Sequence, residues 1–212
     1  MGLFSVISAR ALARAGIGEL TLVDSDTVAL SNLNRQLEAL TSTVGLPKAE
    51  AVARRIADIN PDAVLHPMQE LYNAENRGRF FPEGCRYDYI VDAIDLVSCK
   101  LDLAETARRL NIPLMMALGT GNKLDPSQLR LADISETYGC PLARVMRKEL
   151  RNRGICRQPV VFSPEQPAPT TQREAPPPGR RSVPASNPWV PAVAGLLIGS
   201  KVVRDLIADK GV

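Results

Sequence analysis

The chain has 212 residues, of which 45% are hydrophobic and 23% are charged, and its formal net charge is +3. A chain of this length can bury a sizeable core in one domain or two, and the composition is ordinary for a globular protein. The basic residues are scattered, so no basic surface for nucleic acid is indicated, although this does not exclude an RNA that enters a local groove. The apolar residues 189–198 are too few to span a bilayer, so we expect no membrane partner.

The cysteines and the single histidine give no indication of a metal centre. The four cysteines lie far apart and form no CxxC pair (Cys85, Cys99, Cys140 and Cys156). No secretory leader is visible, so we expect reduced thiols in a cytoplasmic protein rather than disulfides. His66 lies in an apolar run, where packing or surface exposure is commoner than metal binding. The sequence therefore predicts no zinc site.

The first predicted element is a helix with almost nothing before it. Residues 6–15 are rich in Ala, Leu and Arg, and Gly16 and Gly18 end the helix. A doubly wound nucleotide-binding fold normally has a strand and a glycine-rich loop directly before such a helix. Only residues 1–5 are available for both. The sequence therefore predicts either that the first strand is missing or that residues 3–5 are a remnant of it.

A strand that ends in acids is the most informative stretch. Residues 20–23 form an apolar run that stops at Asp24 and Asp26. A polar turn follows, with the side chains of Ser31, Asn32, Asn34, Arg35 and Gln36. In open parallel sheets ligands bind beyond the carboxyl ends of the strands, and an acid there commonly binds ribose hydroxyls. The stretch indicates a nucleotide site, and the alternative is a buried strand that ends in a solvated turn.

The remaining elements alternate between helices and strands. The predicted helices are residues 48–59, residues 101–110, residues 141–153 and a C-terminal helix from Pro191, and the predicted strands are residues 63–68, 89–94, 114–118, 128–134 and 160–162. This order predicts an α/β fold of the Rossmann-like type, with a mostly parallel sheet and helices on both faces, apparently without its first strand.

Residues 163–188 differ from the rest in composition. They are rich in proline and carry Arg173, Arg180 and Arg181, which predicts an exposed crossover loop rather than an ordered core segment. The apolar pattern after this loop predicts a helix that returns to the core. We therefore divide the chain into a main domain of residues 1–162, a proline-rich loop or insertion of residues 163–188, and a C-terminal helix within residues 189–212.

Several polar residues should meet at one edge of the predicted sheet. Asp24 and Asp95 each follow a buried strand, and Asn32, Arg35 and Lys48 lie on the segments after the first. Two cations beside two acids suit a nucleotide triphosphate and its magnesium ion. Each residue alone has an ordinary explanation: a first-turn lysine, a surface ion pair or a helix N-cap. Their joint order favours a site.

These motifs resemble those of the E1-like adenylating superfamily. The matching motifs are residues 22–26 (LVDSD), 31–36 (SNLNRQ), 43–48 (TVGLPK) and 91–95 (VDAID). The resemblance extends over residues 11–131, with a weaker match over residues 190–206. This superfamily includes the activators of sulfur carriers and the ubiquitin-activating domains (ThiF, MoeB and HesA types). Within it, the chain is most similar to the tRNA threonylcarbamoyladenosine dehydratases.

The resemblance implies an ATP-dependent enzyme that adenylates a carboxylate with magnesium. By motif position, Asp24 would bind the ribose, with Asp26 among the nucleotide-binding residues. Asn32, Arg35 and Lys48 would bind the phosphates, and Asp95 would bind magnesium. The residues that would act in catalysis are Arg35, Lys48 and Asp95.

The resemblance also implies partners. The substrate would be a tRNA that carries threonylcarbamoyladenosine, whose activated carboxylate closes into a ring. The first alternative is activation of a ubiquitin-like or sulfur-carrier protein, which would bring in a cysteine-desulfurase-type partner. The second is an inactive relative that only binds or dimerises. The resemblance also implies a homodimer.

One departure from the superfamily bears on activity. The glycine-rich loop of the superfamily should precede the first helix, and the aligned residues here are Gly2, Leu3, Phe4 and Ser5. Bulky side chains at Leu3 and Phe4 would keep the backbone amides away from the phosphates. We therefore expect weak or no ATP binding by the chain as written.

Overall fold

The computed structural model describes residues 3–169 and 185–209. Within these ranges the helices are α1 (Leu3–Arg14), α2 (Lys48–Ala57), α3 (Arg77–Phe80), α4 (Val97–Leu110), α5 (Pro141–Asn152) and α6 (Val190–Asp209). The strands are β1 (Glu19–Val23), β2 (Val64–Met68), β3 (Ile90–Asp92), β4 (Leu114–Ala117), β5 (Arg130–Asp133) and β6 (Pro159–Phe162).

The strands form two sheets. In the first sheet β1 pairs in parallel with β2, with Glu19 opposite Val64. In the second the strand order is β3-β4-β6-β5, and only β5 runs antiparallel to its neighbour. The prediction of a mostly parallel α/β fold is confirmed.

Both faces of the sheets are covered by helices. Along β4, Leu114 and Met116 pack in the core that contains α4 and α5, whereas Met115 and Ala117 pack against α6. Successive side chains of a strand point to opposite faces, so one strand contributes to both cores. Helices α1 and α2 pack together over Leu22 of β1.

Strands β1 and β3 belong to one layer, but no hydrogen-bonded ladder joins them in the described ranges. Leu20 of β1 packs in the same core as Val91 of β3, and Val23 packs in the same core as Ile90. The residues of β4 are all buried, whereas those of β1 and β3 are mostly half-buried. The sheet that we predicted as one is therefore interrupted between β1 and β3.

Helix α1 begins at Leu3, earlier than predicted. Residues 3–5 are helical, so the interpretation of these residues as a strand remnant is wrong; Gly2 lies outside the described residues. The helix packs closely on α6. The Ser8 hydroxyl donates a hydrogen bond to the Gly195 carbonyl oxygen at 2.9 Å. A Cβ at Gly199 would lie 3.1 Å from the Cβ of Ala11, so any side chain at this position would press on α1.

Two boundaries differ from the prediction for a physical reason. Helix α4 begins at Val97 rather than at residue 101, and β3 ends at Asp92 rather than at residue 94. The polar residues before Leu101 made this stretch resemble a loop. In the structure Lys100 is fully buried, and its amide donates to the Leu96 carbonyl oxygen at 3.0 Å within the first helical turn.

Both ends of the proline-rich segment are attached to Asn122. Its backbone carbonyl accepts from the Ala168 amide at 2.7 Å, and its side chain accepts from the Ala185 amide at 2.7 Å. Most of the predicted loop, residues 170–184, lies outside the described residues. None of the helices within the described ranges is long and apolar enough to cross a membrane.

Candidate functional site

The polar segment after β1 folds into a compact loop that returns to the start of α2. Thr27 forms a β-bridge with Pro47, and the Val28 amide donates to the Leu46 carbonyl oxygen at 2.8 Å. Gly45 adopts a φ of +90°, which L side chains rarely adopt, and its amide donates back to Val28 at 2.8 Å. This pairing brings the beginning and the end of the loop together.

The loop places Lys48 beside the acids at the end of β1. The Lys48 ammonium lies 2.8 Å from Oδ2 of Asp26, and Lys48 is only 5% exposed. This hydrogen bond lowers the pKa of Asp26, against the opposing effect of burial. Asp24 is buried, and its Oδ1 accepts from the Asp26 amide at 2.7 Å. Three of the predicted site residues are therefore in contact.

Asn32 and Arg35 stabilise the loop between these ends. The Asn32 side-chain oxygen accepts from the Ala29 amide at 3.1 Å, which orders the short 3-10 turn at Leu30–Asn32. The Arg35 guanidinium donates to the Ser31 carbonyl oxygen at 2.7 Å and to the Asn34 side chain at 2.8 Å. These contacts hold Arg35 over its own loop. Arg35 and Lys48 both lower the pKa of one further residue, Glu38.

Asp95 is placed differently from the other predicted residues. It is exposed, lies three residues beyond the end of β3, and makes no hydrogen bond or ion pair with them in the described ranges. The acid at the strand end is Asp92, whose Oδ2 lies 3.0 Å from the Lys100 ammonium with both side chains fully buried. Lys100 also donates to the carbonyl oxygens of Ile94 at 3.1 Å and Ala117 at 2.8 Å. Asp92 is therefore occupied in a structural ion pair, which leaves Asp95 as the accessible carboxylate after β3.

Sequence reasoning missed Glu38, which interacts electrostatically with the predicted cations, and Arg10, which interacts with Glu38. Glu38 is 7% exposed, and neither of its carboxyl oxygens has a hydrogen-bond partner in the described ranges. Burial raises the pKa of Glu38, while Lys48 and Arg35 oppose the rise. Burial lowers the pKa of Arg10 on α1, and the carboxylate of Glu38 acts in the other direction. The available signal was an acid inside the apolar run from Leu37 to Leu40.

The side chains present fit one magnesium ion shared with a nucleotide. No three His, Cys, Asp or Glu side chains lie close enough to form a metal site of their own among the residues described. Magnesium is usually bound by one or two carboxylates together with phosphate oxygens and water. The exposed carboxylate of Asp95 could supply the protein's part of such a shell.

Known proteins resemble this chain in sequence and in fold. The profile of the ThiF family matches residues 5–209. The chain is 41% identical to a tRNA threonylcarbamoyladenosine dehydratase of Bacillus subtilis (strain 168) over 211 residues, which cover 95% of this chain and 82% of the relative.

Two solved structures show the same fold. The chain is similar to the crystal structure of E. coli tRNA N6-threonylcarbamoyladenosine dehydratase, TcdA, in complex with ATP, with a TM-score of 0.83, 33% identity, and coverage of 97% of this chain and 82% of that one. For the complex of the same enzyme with AMP, the TM-score is 0.87 at 32% identity, with coverage of 99% and 84%. The chain belongs to the ThiF family.

Proposed function

We propose that this chain is an ATP-dependent adenylating enzyme that dehydrates threonylcarbamoyladenosine in tRNA. The observation that carries the proposal is the buried Lys48 held against Asp26 at the end of β1, in a chain 41% identical to a dehydratase of this name. The ammonium group of a lysine is a common ligand for the phosphates of a nucleotide.

The proposed chemistry has two steps. A carboxylate oxygen of the threonylcarbamoyl group attacks the α-phosphorus of ATP, and the bond to the leaving pyrophosphate breaks. An atom of the urea group in the threonylcarbamoyl side chain then attacks the activated carbonyl carbon, a urea N–H gives up its proton, and AMP leaves with the carboxylate oxygen. The net change is the loss of one water molecule from the nucleoside and the conversion of ATP to AMP and pyrophosphate.

Each residue has a role in this proposal. Asp24, with Asp26 beside it, would bind the ribose hydroxyls. Asn32, Arg35 and Lys48 would bind the phosphates, and the two cations would stabilise the charge that develops as pyrophosphate leaves. Asp95 would hold the magnesium ion, which supplies further charge neutralisation when bound.

The test is a direct assay of the nucleoside. The chain is incubated with ATP, magnesium and tRNA that carries threonylcarbamoyladenosine, and the digested nucleosides are analysed by mass spectrometry. We expect the modified adenosine to lose the mass of one water molecule only when ATP is present. Pyrophosphate exchange that requires a sulfur-carrier or ubiquitin-like protein instead would assign the alternative activity.

The expected assembly and location follow from the same proposal. A tRNA substrate would place the chain in the cytoplasm, and light scattering would test the predicted homodimer. A cysteine-desulfurase-type partner stays a prediction, as does weak ATP binding by the chain as written. Isothermal titration with ATP and magnesium would measure that affinity, and a micromolar dissociation constant would contradict the expectation.

A further inference from the structure

We propose that nucleotide binding at this site is coupled to protonation of Glu38, so that the site takes up a proton as it binds the triphosphate. This inference rests on the proposed function, because it concerns the same phosphate-binding cations. It assigns a role to a buried carboxyl group that the family motifs do not include.

The position of Glu38 is fixed by its backbone. Its carbonyl oxygen accepts a hydrogen bond from the Thr43 hydroxyl at 2.6 Å, and the Leu40 amide donates to that hydroxyl at 2.9 Å. The side chain is held inside the loop, only 7% exposed. The backbone amide of Glu38 lowers the pKa of the carboxyl group. Neither carboxyl oxygen has a hydrogen-bond partner in the described ranges. A buried ionised carboxylate without donors is costly, so this position favours the protonated form.

The charged groups around Glu38 come from three parts of the fold. Among the described residues, these are Arg10 on α1, Arg35 in the same loop and Lys48 at the start of α2. Lys48 is paired on its other side with Asp26. When ionised, Glu38 is therefore a buried negative charge that interacts electrostatically with the cations that would bind the phosphates.

A bound triphosphate changes this balance. Its negative charges occupy the cations that now act on Glu38 and add like-charge repulsion, which raises the pKa of a carboxyl group. Burial has already raised the pKa of Glu38 above its ordinary value, so a further rise would bring the titration of this carboxyl group closer to neutral pH. By linkage, affinity for the nucleotide must fall as Glu38 ionises, and binding must take up protons.

The test compares ATP binding by the wild type, Glu38→Gln and Glu83→Gln between pH 5 and pH 8, with magnesium present and ATP titrated to millimolar concentrations. Glutamine mimics the protonated acid, and Glu83 is an exposed acid in a loop, which makes it the matched control. As the pH rises, we expect the ATP affinity of the wild type and of Glu83→Gln to fall relative to the ATP affinity of Glu38→Gln at the same pH. The difference should be about tenfold for each unit by which the nucleotide raises the pKa of Glu38.

Calorimetry in two buffers of different ionisation enthalpy adds a direct count of protons. The wild type should take up more protons per bound ATP than Glu38→Gln, and the titration of ATP itself cancels in this comparison. A variant that merely folded less well would not change this count.

If the wild type binds ATP and Glu38→Gln has the same pH profile and proton count, this proposal is wrong and the proposed function stands. If the wild type binds no ATP at any pH, the proposed function fails and this proposal fails with it.

Discussion

At the scale of single residues, two of the buried lysines, Lys48 and Lys100, have different tasks. Lys48 is paired with Asp26, whose side chain is 64% exposed. This ion pair therefore lies where a ligand in solution can approach it. Lys100 is paired with Asp92, and neither side chain of that pair is exposed. The first pair is suited to binding and the second to holding β3 and α4 together.

Replacement of Lys48 by alanine should impair the reaction. Removal of one group that stabilises developing charge typically lowers turnover by about 10²–10³-fold. The measurement is the rate of nucleoside dehydration with saturating ATP. Lys148→Ala, which removes an exposed lysine of α5, is the control and should leave the rate unchanged. An equal loss in both variants would show that Lys48 has no specific role.

Replacement of Lys100 by methionine should impair folding instead. Breaking a buried pair leaves an unpaired buried charge and costs roughly 3–5 kcal/mol of unfolding free energy. Urea denaturation would measure this cost. The double variant Asp92→Asn, Lys100→Met removes both charges and should be more stable than Lys100→Met alone. If Lys100→Met were as stable as the wild type, the ion pair would not contribute to folding.

Glu38 should also affect stability, and the direction follows from its raised pKa. An acid whose pKa is raised in the folded protein favours folding while it is protonated, and that contribution is lost as pH rises from its ordinary pKa through the raised value. Glu38→Gln does not titrate. As the pH rises from 4 to 7, the unfolding free energy of Glu38→Gln should therefore increase relative to that of the wild type. Urea denaturation at each pH would measure both values. A constant difference would contradict the raised pKa.

At the scale of elements, the crossing of α1 and α6 depends on small residues. The Cβ of a residue at position 199 would lie 3.1 Å from the Cβ of Ala11, which leaves no room for a branched side chain. Gly199→Val should therefore destabilise the protein by about 1–3 kcal/mol, the usual cost of overpacking. Ser200→Val, at an exposed position of the same helix, is the control for the presence of a β-branched valine in this helix. Similar melting temperatures for the two variants would show that the helices can separate at little cost.

At the scale of the whole molecule, the interruption between β1 and β3 predicts unequal local stability. Strand β4 is paired on both sides, by β3 and β6, whereas β1 has one partner in the described ranges, β2. Segments with fewer hydrogen bonds and partial burial open at lower free energy. Native-state hydrogen exchange should show faster exchange of the amides of β1 than of β4. Equal protection of the two strands would mean that the sheets unfold as one unit.

The sequence by itself determined the order and type of most elements. The apolar run before Asp24, Pro47 before α2 and Asn111 after α4 are local signals, and Asn111 adopts the left-handed conformation expected at that helix end, with a φ of 55°. The spacing of acids, amide and cations after β1 also indicated the nucleotide motif, because this segment pairs with itself and needs little help from distant residues.

Only the tertiary structure decided which charges are buried and what they contact. The sequence does not show that Lys100 and Glu38 are buried, because burial depends on elements that arrive from elsewhere in the chain. Lys100 contacts Asp92 of β3 and Ala117 of β4, and Glu38 interacts electrostatically with Arg10 of α1. The interruption of the sheet is likewise a property of strand neighbours, which local patterns do not encode.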